Sequence, residues 1–142
     1  MQKDSTTRHS FIVMAPLGQT LLHYLNERKK AFSLKTVCQI GINMVYLFEH
    51  LHRCGKIYND LKLDNILVGD KDSSIESLSK ITLIDFGLCS SYLDESGNHI
   101  KDEPQKYFMG NMAMASVNAM NFRSVSRRDD LISLCYMLVY MI

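Results

Sequence analysis

A chain of 142 residues, 46% hydrophobic and 22% charged, has the size of one domain and enough apolar side chains to build a core, which excludes disorder for most of its length. Its 16 basic and 15 acidic residues are interspersed and sum to +1, so there is no basic field for nucleic acid or an acidic membrane, and no stretch approaches the roughly 20 apolar residues of a membrane span. Cys38, Cys54, Cys89 and Cys135 stand singly, without the paired spacing of zinc sites or disulfide frameworks, and the N-terminus lacks an apolar signal region; together these predict a soluble protein of the reducing cytoplasm, with the nucleus also open.

In chain order, Phe11 to Met14 is a short apolar run that predicts a buried strand, broken by Pro16 and Gly18. Ser33 caps a predicted helix whose Val37, Ile40, Met44, Leu47, Phe48 and Leu51 recur every three or four positions, and Gly55 stops it. Ile42 and Val45 are apolar too, so most of its circumference is expected to be buried. Three short strands follow, Lys56 to Tyr58, Ile66 to Val68 and Ile81 to Ile84, the last two forming a hairpin around the serine-rich connection Gly69 to Ser79. Residues 88 to 125 show little periodicity, and the acidic run Asp94 to Glu103 predicts a mobile segment. A last helix, Asp129 to Ile142, is apolar on nearly all sides with nothing after it to cover it, which predicts a domain cut off there.

The stretch "IYNDLKLDNILVGD" contains D-x-K-x-x-N, and twenty residues after Asn65 stands "LIDFG". Both match protein kinase signatures, and chance would place the two in order at roughly 0.1% or below. The intervals suit phosphoryl transfer, in which a protein chiefly positions groups and neutralises charge. Asp60 would take the proton of an acceptor hydroxyl. Lys62, two residues along an extended loop, points the same way and would set its ammonium against the transferring phosphate. Asn65 offers a neutral oxygen and Asp85 a carboxylate to magnesium, which wants only one or two protein carboxylates and keeps several waters.

Beyond these motifs the chain resembles the central part of a casein kinase I type serine/threonine protein kinase over nearly its whole length. "VMAPLG" resembles that family's hinge, "FSLKTV" the start of its long helix, "SVN" at Ser116 to Asn118 its S-I-N motif, and "SRRDDLISL" its helix F signature. The resemblance implies an α+β, protein-kinase-like fold truncated at both ends: residues 1–18 the end of the small lobe and hinge, 19–142 the large lobe through helix F. It implies ATP and Mg2+ as cofactors, with Ala15 and Leu17 bonding adenine through their backbone, Met14 as gatekeeper and Leu67 and Ile84 as apolar floor. Asn65 and Asp85 would be the metal ligands, and Asp130 would hold the catalytic loop by accepting backbone N–H bonds. The partner would be a protein with a serine or threonine acceptor, and the enzyme a monomer with no nucleic-acid or membrane partner.

Matched positions that differ mostly remove a cation. Asn59 stands for the arginine before the catalytic aspartate, Ser90 and Ser91 for lysines after D-F-G-L, and Ala113 for an arginine, which implies a lost preference for phosphate-primed substrates. Asn111 takes the place of a threonine, with an amide able to donate to Asp60, and His23 that of an aspartate near the ribose. The Gly-rich loop, the V-A-I-K lysine and its partner glutamate have no counterpart between residues 1 and 142, so efficient catalysis by this stretch alone is not expected. Two readings stand: an ATP-dependent protein serine/threonine kinase, or a pseudokinase or interaction module retaining the large-lobe fold. A calcium-loop reading of Asp70 to Ile81 fails, because Ile75 and Ile81 occupy the required glycine and glutamate positions.

Overall fold

A computed structural model describes residues 2–3, 10–28, 31–69, 78 and 80–142. The elements are β1 (Gln2–Lys3), β2 (Ser10–Phe11), α1 (Leu21–Glu27), α2 (Leu34–Arg53), β3 (Lys56–Ile57), β4 (Ile66–Val68), β5 (Ile81–Leu83), β6 (Ser90–Ser91), α3 (Val117–Met120) and α4 (Arg127–Tyr140). This is an α+β arrangement in which three two-stranded antiparallel sheets, β1 with β2, β3 with β6 and β4 with β5, accompany the helices. Among the described residues no helix is long and apolar enough to cross a membrane.

Helix α2 organises the rest. Ser33 Oγ accepts the Thr36 amide at 3.2 Å, satisfying one of the donors that a helix start leaves open, a contribution of about 1 kcal/mol. At the other end Gly55 adopts φ 75, a conformation that a residue with a Cβ resists, and its amide bonds the His52 carbonyl to close the turn into β3. Val37, Ile40, Met44 and Phe48 are buried in one stripe and form the core with Leu21 and Leu25 of α1, Ile66 and Val68 of β4, and Leu134, Met137 and Met141 at α4. Ile42, Val45 and Tyr46 are exposed, so α2 is amphipathic, not buried around most of its circumference. The 3.6-residue period brings one side chain in three or four to the core, and no described element lies on the opposite face. Helix α4 is likewise one-sided, burying Leu134 and Met137 while Val139 and Tyr140 stay exposed, in keeping with the expectation that part of its apolar surface is uncovered.

The predicted strand Phe11 to Met14 is also corrected. Only Ser10–Phe11 pairs, with Gln2–Lys3, and Ile12, Val13 and Met14 belong to no strand and are exposed. An apolar run becomes a buried strand only when another layer covers it, and no described residue covers this one. Beyond it the chain runs beside β4: Gly18 N–H donates to the Gly69 carbonyl, Val68 N–H to the Gln19 carbonyl, and Thr20 bridges Leu67. Thr20 then caps α1 by accepting the His23 amide at 3.1 Å. That helix escapes a periodicity search because of its seven residues, although Thr20 followed by Leu21, Tyr24 and Leu25 is a readable signal.

The hairpin forms as predicted, with Ile66 opposite Leu83, Leu67 opposite Thr82 and Val68 opposite Ile81. Ile66 and Val68 enter the core, so Leu67 and Thr82 share the other face. Most of the connection, residues 70–77 and 79, lies outside the described residues, and most of the rejected calcium loop with it. Its Leu78 is buried in the core, with its carbonyl held by Asn43 Nδ2 at 3.1 Å, so this part of the connection is not solvated.

The acidic run is held rather than mobile. Asp94 Oδ1 accepts the amides of Ser96 and Asn98, Leu93 bridges His99, and Arg123 clamps Asp102 through bonds of 2.8 and 3.1 Å. Charges that look solvated in sequence here close turns and join distant loops.

Candidate active site

The loop between β3 and β4 is pinned by alternate side chains. Tyr58, Leu61, Leu63 and Ile66 are buried in the apolar core, while Asp60 and Asn65 are buried against each other and Lys62 is half-buried beside them. Lys62 is fully extended, with φ −158 and ψ 158, and its Nζ reaches Asp60 Oδ2 at 2.7 Å, as the two-residue period requires. A single 3-10 turn, Leu63–Asn65, then carries Asn65 back so that its Nδ2 donates to the Asp60 carbonyl at 3.1 Å and to Asp60 Oδ2 at 3.2 Å. The amide nitrogen is thus committed to Asp60, and the amide oxygen is left for another partner.

Asp85 arrives from β5. The Ile84 amide donates to the Asn65 carbonyl at 3.0 Å, and the Tyr58 hydroxyl donates to the Ile84 carbonyl at 2.5 Å, tying the end of β5 to the loop from both sides. Asp85 itself adopts φ 57 and is exposed, with Oδ1 accepting the Gly87 amide at 3.3 Å. The Lys62 ammonium holds its proton more tightly than usual, chiefly through its hydrogen bond to Asp60, with Asp85 and Asp64 adding their charge. Burial raises the Tyr58 phenol, keeping it a neutral donor. Asp60 and Asp85 thus both act on the Lys62 charge, and the backbone of Asn65 is tied to the residue before Asp85.

Helix α4 fixes the loop from behind. Asp130 is buried, its Oδ2 accepts the Tyr58 amide at 2.9 Å and lies 2.8 Å from His52 Nε2, and its Oδ1 accepts the Asn59 amide at 3.0 Å. This bears out the expectation for Asp130; His52, stacked on Phe48, is a member that sequence reasoning missed. Its neighbour Asp129 accepts the Ser116 hydroxyl at 2.6 Å and the Ser126 amide at 2.7 Å, joining the S-V-N segment to α4.

The sequence of residues 2–142 matches the protein kinase domain. The chain belongs to the protein kinase domain family. Over 133 residues, 93% of its length, it is 34% identical to casein kinase I homolog 2 of Saccharomyces cerevisiae. It is 38% identical over 133 residues to casein kinase 1-like protein HD16 of Oryza sativa subsp. japonica. The chain spans 24% of the first relative and 18% of the second. The casein kinase I resemblance carried by the hinge, S-V-N and S-R-R-D-D strings is thereby borne out.

In this protein kinase domain the remaining predicted site residues fall into two groups. Leu67 in β4 and Ile84 just after β5, both half-buried, lie close in the chain to Asn65 and Asp85, and Leu17 stands where the chain joins β4. Met14 and Ala15 are exposed, ahead of that junction. His23 lies 3.4 Å from Glu27 on the surface of α1. Asn111 does not bond Asp60; its Oδ1 accepts the Ala113 amide at 2.9 Å, because an asparagine that opens a turn is better placed to cap its own backbone. Asn59, at φ 69, donates through Nδ2 to the Leu88 carbonyl at 2.8 Å and to Ser90 Oγ at 2.9 Å, so a neutral pair fills this corner.

Magnesium fits this donor set. Asn65 and Asp85 supply hard oxygen atoms, and among the described residues no cluster of three or more His, Cys, Asp or Glu would cage a metal unaided.

Gly110 guards the same corner. At φ 110 it lies so close to the Asn59 backbone that an added Cβ would overlap the Asn59 carbonyl oxygen. Gly110→Ala is therefore expected to displace the residue before Asp60 and to cost about 1–3 kcal/mol. A thermal melt beside the parent protein checks it, and an unchanged midpoint would show that the contact is not tight.

Proposed function

We propose that this chain belongs to an ATP-dependent protein serine/threonine kinase of the casein kinase I type, monomeric and cytoplasmic or nuclear, with residues 1–18 ending the small lobe and hinge and 19–142 beginning the large lobe. The observation that supports this most is the joint hold on Asp60 by Lys62 and Asn65, with Asp85 brought beside them. Asp60 receives the proton of the acceptor hydroxyl, and Lys62 balances charge on the transferring phosphoryl oxygens. Asn65 and Asp85 would hold Mg2+, which when bound would supply charge neutralisation to the phosphates. The Ala15 carbonyl and the Leu17 amide and carbonyl would bond adenine, with Met14 as gatekeeper and Leu67 and Ile84 as its apolar floor. Asp130 is a positioning residue, acting through the backbone of Tyr58 and Asn59.

The test is transfer of a labelled γ-phosphate by the full-length protein to a serine-containing acceptor protein with Mg2+. Label on serine or threonine that disappears with chelator is expected. Tight nucleotide binding without any transfer would overturn the reading in favour of an interaction module.

A further inference from the structure

Next to the catalytic loop lies a cleft of about 240 Å³, between β6, the segment 100–109 and the loop 119–125. Its wall is joined to the site: Ser90 accepts Asn59 Nδ2, Asn59 precedes Asp60, and Gly110, next to the lining residue Met109, rests on the Asn59 carbonyl. An acceptor peptide whose hydroxyl reaches Asp60 would pass this opening.

The polar part of the lining is already paired within the protein. Ser91 Oγ donates to the Gly55 and Leu93 carbonyls, Ser124 Oγ donates to the Glu103 carbonyl, and Gln105 Nε2 donates to Ser124 Oγ and the Glu103 carbonyl. The cationic side chain in the wall, Arg123, is clamped by Asp102, which holds its guanidinium charge. Around the cleft, residues 94–106 and Arg123 bring Asp94, Glu95, Asp102 and Glu103 against Lys101, Lys106 and Arg123, a slight excess of negative charge. An acidic or phosphorylated side chain entering here would lose water, find the lining arginine already paired with Asp102, and meet the slight excess of negative charge around the cleft. What the cleft offers is apolar: Ile100, Met109, Ala119 and Val125 line it, and Tyr107 is 81% exposed at its edge. Methionine adapts its shape to varied apolar partners, and apolar surface open to water gains from being covered.

We propose that this cleft seats an apolar side chain of the protein substrate, so that the kinase selects serine or threonine acceptors flanked by a large apolar residue over those flanked by acidic or phosphorylated ones. The inference rests on the protein kinase reading above and adds the class of substrate.

The test uses the full-length protein and serine peptides in which one flanking position at a time carries Leu, Phe, Ala, Asp or phosphoserine. At one position, kcat/KM with Leu or Phe is expected to exceed that with Ala about ten-fold, and that with Asp or phosphoserine by at least as much. Met109→Lys, at an exposed position outside the core, is expected to reverse the order at that position. A preference for Asp or phosphoserine in the parent protein, or equal rates throughout, overturns the cleft's role and leaves the kinase reading standing. Transfer to none of the peptides or to an acceptor protein overturns both.

Discussion

Asp60→Asn in the full-length protein lowers phosphoryl transfer by about 10²–10⁴-fold, the range a general base contributes, and leaves nucleotide affinity nearly unchanged. The substitution keeps shape and removes charge. Asp60 accepts from Lys62 at 2.7 Å and from Asn65 at 3.2 Å, and an asparagine oxygen can still accept from one of them, so the loop persists. Losing the carboxylate lets the Lys62 proton affinity fall back toward its ordinary value of 10.5, which leaves the ammonium charged at neutral pH. The positive charge facing the phosphate therefore survives, and the deficit reports the missing base. Steady-state kinetics and nucleotide titration on the same preparation separate the two; full turnover in the variant would remove Asp60 from its proposed role.

Asp130→Ala has its largest effect on stability, a loss of about 3–5 kcal/mol in urea unfolding, set against a total of about 5–15 kcal/mol for an ordinary domain. Three donors converge on this carboxylate, the amides of Tyr58 and Asn59 and the ring of His52, and truncation leaves each without its partner in a buried place. The strain at Asn59, with φ 69, is sustained by the same bonds, so its relaxation should move Asp60 as well. The expected pattern is a lower unfolding midpoint together with a reduced kcat, whereas an unchanged kcat in the folded variant would contradict a positioning role. Gly110→Ala reaches the same loop from the opposite side, through a steric overlap rather than missing hydrogen bonds.

Features legible in the chain are those whose cause is local. Ser33 and Gly55 bound α2, because a cap needs only the next three residues and a left-handed turn needs only a missing Cβ. The β4–β5 hairpin follows from two apolar runs and their separation, and the grouping of Asp60, Lys62 and Asn65 from the alternation of an extended loop followed by one tight turn. Helix α1 was readable too, though short.

Tertiary structure alone decided what depends on partners far along the chain. Asp130 lies 72 residues from Tyr58, and although the family resemblance anticipates its hold on the loop backbone, nothing in the chain announces His52 as its third partner. Ser90–Ser91 forms a strand only because Lys56–Ile57 offers it an edge, since two serines have no apolar alternation of their own. The Asp102–Arg123 clamp and the cleft beside it arise from loops that share no sequence signal. Exposure along α2 and α4 belongs with these, because the chain spells out which residues are apolar, while which of them leave water depends on what packs opposite.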